Sequence, residues 1–294
     1  MQVELKQTYS GHKQSIYALE TNGQNFYTGG GEGYVVAWDM QKGDMGEVIA
    51  QTNSPIYCIS IQAEMELMFI GTAHGNMHVI DLKKNKEINF IVLENKGIFS
   101  IKIVNTNLYI TGGDGILYIL SLSDYHIIQK IQISSKSLRG IDIHENHIAI
   151  GTGEGLVRIL DLGTGKIIQE YQEQENTVFA VKFSPDGKYI YCGGRDALLV
   201  SYDLEAEKIM TKIPAHTLHI HSIESSPDGN LLATSSMDKS IKIWDRETLN
   251  LLKVIDAPKY GLHKSSVNKI KWVDQQQIIS VSDDKTAALW QIEN

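Results

Sequence analysis

The sequence predicts an all-β chain built by repetition and closed on itself, and three observations predict it. First, a strand-ending pair recurs at Trp38-Asp39, Ile80-Asp81, Leu120-Ser121, Leu160-Asp161, Tyr202-Asp203, Trp244-Asp245 and Trp290-Gln291, at intervals of 42, 40, 40, 42, 42 and 46 residues. Second, each interval reads as short alternating strands parted by turn residues, and no stretch sustains a helical period. Third, Val3 to Tyr9 reads as a strand that precedes the first repeat, whereas the last repeat stops at Asn294 after its third strand. A period of about 40 residues with four strands per unit marks a propeller. The expected fold is a seven-bladed β-propeller of four-stranded antiparallel sheets, its ring closed by the N-terminal strand joining the last blade, which removes an exposed sheet edge.

The stretch from Ala215 to Asp245 shows the unit at its clearest. His216 follows a turn, a strand begins at Ile220, and Ser226-Pro227-Asp228-Gly229 makes a hairpin turn into a second strand, Leu231 to Thr234. A tight turn with Asp238 leads to a third strand, Ser240 to Trp244, with Ile241 and Ile243 on one face and Lys242 on the other. Such a meander cannot stand alone, because ordering its backbone costs about 1–2 kcal/mol per residue against little buried apolar surface. It needs copies to pack against. One domain over residues 1–294 is therefore expected, with blades at about 11–51, 53–93, 95–133, 135–172, 175–213, 215–255, and 263–294 plus 2–9. Blade 5 repeats the turn as Ser184-Pro185-Asp186-Gly187. The glycine-rich runs at Gly29 to Gly33, Gly71 to Gly75, Gly112 to Gly115 and Gly151 to Gly155 fall between strands at one phase of the repeat, which suits tight turns rather than a phosphate cradle.

Gly11-His12, His216 and His263 precede Trp38-Asp39, Trp244-Asp245 and Trp290 at matching phases, and in this the chain resembles the WD40-repeat family of β-propellers over essentially its whole length. Blades 2, 3 and 4 keep the strand pattern and lose the His and the Trp. The resemblance implies a structural tetrad at His216, Thr234, Asp238 and Trp244, again at His263, Ser280, Asp284 and Trp290, and with a longer carboxylate at His12, Thr28, Glu32 and Trp38. Blade 5 keeps only Asp196, with Cys192 in the hydroxyl position and Tyr202 in that of Trp. The same Ser/Thr, His and Asp sets would serve a hydrolase as nucleophile, base and orienting carboxylate. Their recurrence at one repeat phase, each followed by Trp, and the lack of a nucleophile elbow favour the structural reading. An indole N–H can donate to the hydroxyl, the hydroxyl to the imidazole and the imidazole to the carboxylate.

The candidate site emerges when the repeats are aligned on Ile16, Ile56, Ile98, Leu138, Val178, Ile220 and Val267. The family topology implies that the residues beside that position look out around the mouth of the central channel. Here they are Tyr17, Tyr57, Phe99, Arg139, Phe179, His221 and Asn268, with Arg195, Met237 and Asp283 extending the surface. Rigid aromatics and Arg are the anchors enriched in protein interfaces. The competing reading is that these rings only pack between blades. The linker Asp256 to Lys264 is longer than its counterparts and opens, by the family topology, on the same face.

Composition bounds the function. Twenty-seven Lys and Arg against 35 Asp and Glu leave a net charge of −8, which argues against generic nucleic-acid or anionic-membrane binding. Cys58 and Cys192 lie in strands of different repeats, which fits a reducing compartment rather than a disulfide framework. The N-terminus has no apolar core of a signal peptide and no run approaches a membrane span. His219 and His221 read as two residues on one strand face, yet no Cys or carboxylate pair completes a zinc shell with them. The expectation is a non-catalytic, cytoplasmic scaffold that binds a peptide or partner domain at the channel mouth, as a monomer or as a subunit of a larger complex. No cofactor, metal, nucleic acid or membrane is called for. The alternative is a propeller hydrolase or lyase with its site at that mouth.

Overall fold

In a computed structural model the alternating segments form strands and the turn residues form the connections between them; the structure describes residues 1–93, 96–172 and 176–293. Asn294, with which the seventh repeat was expected to end, lies outside the described residues. Among those residues, 28 strands and one helix are present, and the strands make seven four-stranded antiparallel sheets. Six sheets are meanders in chain order. The seventh takes its outermost strand from the N-terminus: Gln2–Ser10 pairs with Thr286–Glu293, and Tyr9 faces Ala287 across the ladder.

Turn chemistry explains the connections. In blade 5 the Ser184 hydroxyl donates to Asp186 at 2.5 Å and accepts from Tyr189 N at 2.9 Å, while Gly187 takes φ 69°. Blade 6 repeats this with Ser226, Asp228 and Gly229 at φ 74°. A side chain at either glycine would be strained, because L-residues rarely adopt that backbone region.

The core lies between the blades. Ile16, Ile56, Ile98, Leu138, Val178, Ile220 and Val267 each stand at the start of an innermost strand and are completely buried. Each wedges toward the preceding blade: a Cβ on Gly29 would come within 2.5 Å of Ile56 Cγ2. The missing side chain at Gly29 thus makes room for the next blade's anchor, whose burial contributes about 1.5–3 kcal/mol. Cys58 and Cys192 are free and buried.

One irregularity recurs in all seven blades. The pairing register of each innermost strand slips just after the buried anchor, between Ile16/Ala18, Ile56/Cys58, Ile98/Ser100, Leu138/Gly140, Val178/Ala180, Ile220/Ser222 and Val267/Lys269. The residue in the slip is a β-bulge, and a bulge re-aims its side chain out of the strand's alternation.

Two local readings are corrected. The long linker holds a one-turn helix, Ala257–Tyr260, capped by the Asp256 side chain, which accepts from Lys259 N at 3.2 Å, and ended by Gly261 at φ 73°. His219 does not share a strand with His221, because the strand begins at Ile220.

Candidate interaction site at the channel mouth

The seven bulged residues are Tyr17, Tyr57, Phe99, Arg139, Phe179, His221 and Asn268, and together with Asp283 they line one depression at the end of the axis. Every one of them is half-buried. Their contacts run nearly around the ring. Tyr17 meets Tyr57 edge-on at 5.7 Å between centroids, and Tyr57 stacks on Phe99 at 5.7 Å. The Arg139 guanidinium lies 3.8 Å from the Phe99 centroid and 5.9 Å from that of Phe179, which meets His221 edge-on at 5.8 Å. Hydrogen bonds finish the circuit. Ser266 Oγ sits 3.2 Å from His221 Nδ1 and donates to Asn268 Oδ1 at 3.0 Å; Asn268 Nδ2 donates to the Ile16 carbonyl at 2.8 Å, back in blade 1.

The rings therefore pack on one another and keep accessible surface, so packing and recognition need not compete. Burial, and then the neighbouring His219, push the His221 pKa down to about 4, which keeps the ring neutral at physiological pH. Asp283 is held at the mouth by Asn268 Nδ2 at 2.7 Å. Arg195 and Met237 are exposed, Met237 by 43%, and stand outside the depression, on loops tied down through Thr177 O and His219 O. The helical insertion does not line the mouth either: Tyr260 packs edge-on against Trp290 at 5.7 Å.

The tetrad positions meet as hydrogen-bonded relays. In blade 6, Trp244 Nε1 donates to Thr234 Oγ1 at 2.9 Å, Thr234 lies 2.8 Å from His216 Nε2, and His216 Nδ1 lies 2.9 Å from Asp238. The corresponding distances in blade 1 are 2.8, 2.7 and 2.6 Å, so the longer Glu32 reaches His12 closely. Blade 7 is looser. Trp290 and His263 meet Ser280 at 2.7 and 2.5 Å, but His263, at φ 58°, leaves its Nδ1 at 3.7 Å from Asp284, beyond a hydrogen bond. Each carboxylate also accepts a backbone N–H from the His-bearing loop: Lys13 to Glu32, Thr217 to Asp238 and Lys264 to Asp284. Burial lowers the His12 and His216 pKa values. Burial works against the Asp238 carboxylate, yet the hydrogen bond and charge of His216 outweigh it and hold that group well below its usual range. Thr234 is fully buried and the His216 side chain has no exposed surface, so a substrate has no path to either.

Deeper in the channel lies a belt that the sequence reading missed. Four residues beyond each anchor stand Glu20, Lys102, Asp142, Lys182, Glu224 and Lys271, with Ser60 in the remaining blade. Lys102 meets Asp142 at 3.0 Å, Lys182 meets Asp142 at 3.6 Å and Glu224 at 3.3 Å, and Lys271 meets Glu20 at 3.0 Å. Burial opposes the Asp142 carboxylate, but Lys102 and Lys182 outweigh it and hold its pKa at about 2. Among the described residues no group of three or more His, Cys, Asp or Glu is placed to hold a metal ion, and no helix is long and apolar enough to cross a membrane.

The family described as "WD domain, G-beta repeat" matches residues 3–39, and that described as "Cytochrome D1 heme domain" matches residues 141–293. The WD40 β-propeller domain of Doa1, a crystal structure, superposes with a TM-score of 0.88 at 15% identity, covering 100% of this chain and 98% of that one. At that identity the likeness is one of fold. Among curated proteins no sequence matches significantly. The cavity below the mouth does not fit a haem: it measures about 110 Å³ and is walled by ion pairs, whereas small-molecule sites begin near ~300 Å³ and are mostly apolar. Tyr17, Tyr57, Phe99 and Arg139 all precede the matched stretch.

Proposed function

Because the chain belongs to the WD40-repeat family of β-propellers, whose fold typically serves as a protein-interaction scaffold, we propose that it docks a peptide or partner domain on its channel mouth and performs no chemistry of its own. The observation that carries this reading is the ring of half-buried aromatics and Arg139, set out of the ladder by a bulge in every blade. Rings already fixed by their neighbours lose little freedom on contact, and a guanidinium seated on an aromatic face keeps its edge donors for a partner. Arg195 and Met237 would extend the docking surface at its rim. Among the described residues the triad-like sets that a hydrolase would need are buried in the blades, where they serve the relay.

The test pairs Arg139→Glu with Tyr57→Ala. Partners crosslinked to the wild-type protein in its native cell and identified by mass spectrometry should be lost from the double variant, while its melting curve stays cooperative. Full retention of those partners by a folded double variant would remove the mouth as the docking surface.

A further inference from the structure

The channel holds more cation than it pairs. In the belt, three ammonium groups face three carboxylates. Between belt and mouth lies a layer of small side chains, Ala18, Ser100, Gly140, Ala180 and Ser222, which leaves the cavity of about 110 Å³. Into that layer blade 7 alone sends a long side chain, Lys269. Among the described residues its ammonium has no carboxylate within 4.0 Å and no hydrogen bond, although Glu224 is near enough to act on it through space. Arg139, above it and from blade 4, lines the same cavity; its Nε is buried without a hydrogen-bond partner. Burial lowers the pKa of both groups. The one carboxylate lining the mouth, Asp283, is held by Asn268.

A half-buried cation without a counter-ion is costly, and a carboxylate that accepts charge-assisted hydrogen bonds from two such cations relieves both. A cationic ligand is disfavoured here, since Arg139 already occupies the faces of Phe99 and Phe179. The volume suits one carboxyl group and a few waters. We propose that the space between the aromatic mouth and the ionic belt is a carboxylate site formed by Lys269 and Arg139, and that it receives an acidic side chain of the peptide docked on the mouth. This rests on the docking reading above. The peptide backbone lies across the rings, and one side chain descends the roughly 3.3 Å from the bulged residue to the next layer.

The test titrates the full chain with acetylated, amidated Gly-Asp-Gly, its Gly-Asn-Gly isostere, and N-acetylglycine as a free terminal carboxylate, read by amide chemical shifts. The aspartate peptide should give saturable shifts at Ser100, Ser222 and Lys269, the asparagine peptide none, and Lys269→Gln and Arg139→Gln should each weaken binding at least about tenfold. Melting curves establish that each variant is folded, and either folded variant suffices. Equal shifts from the aspartate and asparagine peptides, or wild-type affinity in a folded variant, overturn the site. Tighter binding of N-acetylglycine overturns the side-chain source. Should the carboxylate site fail while partners are still lost from the Arg139→Glu, Tyr57→Ala variant, only this inference falls; should the aspartate peptide bind while that variant keeps its partners, the docking reading falls and the peptide source with it.

Discussion

Blade 6 and blade 3 fold alike and are held together differently. At the position of Thr234 blade 3 has Ile110, and at that of Trp244 it has Leu120; both replacements are completely buried. Blades 2 and 4 make the same exchange, with Ile70 and Ile80, and Ile150 and Leu160. Where the indole, hydroxyl and imidazole are present they come as a set, in blades 2, 3 and 4 an apolar pair takes over, and blade 5 has Cys192 and Tyr202 instead. The physical reason is the asymmetry of buried hydrogen bonds: removing both partners is nearly neutral, whereas removing one strands the other. In blades 3 and 4 the carboxylate survives the exchange because it has a second duty, whereas blade 2 has His74 in its place. Asp114 in blade 3 still accepts from Ile116 N at 3.1 Å, as Asp238 accepts from Ser240 N at 3.1 Å, and Glu154 in blade 4 still ties down the preceding loop through Ser134 and Ser135. The blade is thus specified by strands, turns and the inter-blade wedge, and the relay is one of two ways to fill its middle.

The largest expected effect strikes the relay at its centre. His216→Ala leaves a buried hydroxyl and a buried carboxylate short of partners and should cost about 2–4 kcal/mol, read from the urea midpoint. His263→Ala should cost less, about 1–2 kcal/mol, since its Nδ1 makes no hydrogen bond to begin with. Equal losses would mean that the relay geometry does not set its strength. The next effect is a pH dependence confined to the relay blades. His12 and His216 have folded pKa values below that of the unfolded chain, so their contribution is intact above the unfolded value of about 6.5 and is lost as pH falls below it toward the folded values. Each adds at most about 1.4 kcal/mol per pH unit in that window. Asp238 and Asp284, held low in the folded state, add their losses at still lower pH. Amide exchange between pH 7 and 5 should therefore weaken protection in Leu231–Ser236 before it does so in Asn107–Gly112; uniform loss across both strands would contradict the comparison.

How far the sequence could be read follows the same physics. The recurring pair, the turn residues and the spare N-terminal strand led to the blade number and the closure, because each is a local pattern repeated in register. The relay had a signal too, since the hydroxyl and the carboxylate keep a constant spacing from the Trp and the His a constant spacing from the anchor of the next strand. The bulge had none: a slip in pairing leaves no mark on the alternation of one strand, so the residues at Tyr17 and Ala18 could not both be seen to face the axis. Yet the ionic belt had a signal. The alignment that yields Tyr17, Tyr57 and Phe99 also yields, three residues on, Glu20, Ser60, Lys102, Asp142, Lys182, Glu224 and Lys271, whose signs nearly alternate around the ring. The helix at Ala257–Tyr260 is too short for a period, though Asp256, Pro258 and Gly261 are its cap, first-turn and stop signals.

The smallest expected effect falls where the two kinds of blade should not differ at all. Thr111 in blade 3 and Ser235 in blade 6 occupy the same place, opposite Ser100 and Ser222 on the innermost strands, and it is the place where Gly29 admits the anchor of the next blade. Both hydroxyls are buried, and neither has a hydrogen-bond partner among the described residues. The position belongs to the contact between blades rather than to the relay, so its hydroxyl is a cost in either setting. Thr111→Val and Ser235→Ala, which remove the hydroxyl with little change of shape, should be neutral or stabilising by up to about 1 kcal/mol, and by similar amounts, in the same urea titration. A loss confined to Ser235→Ala would show that the relay of blade 6 reaches one residue further than Thr234, and the two ways of filling a blade would then differ in their packing against the neighbour as well as within the sheet.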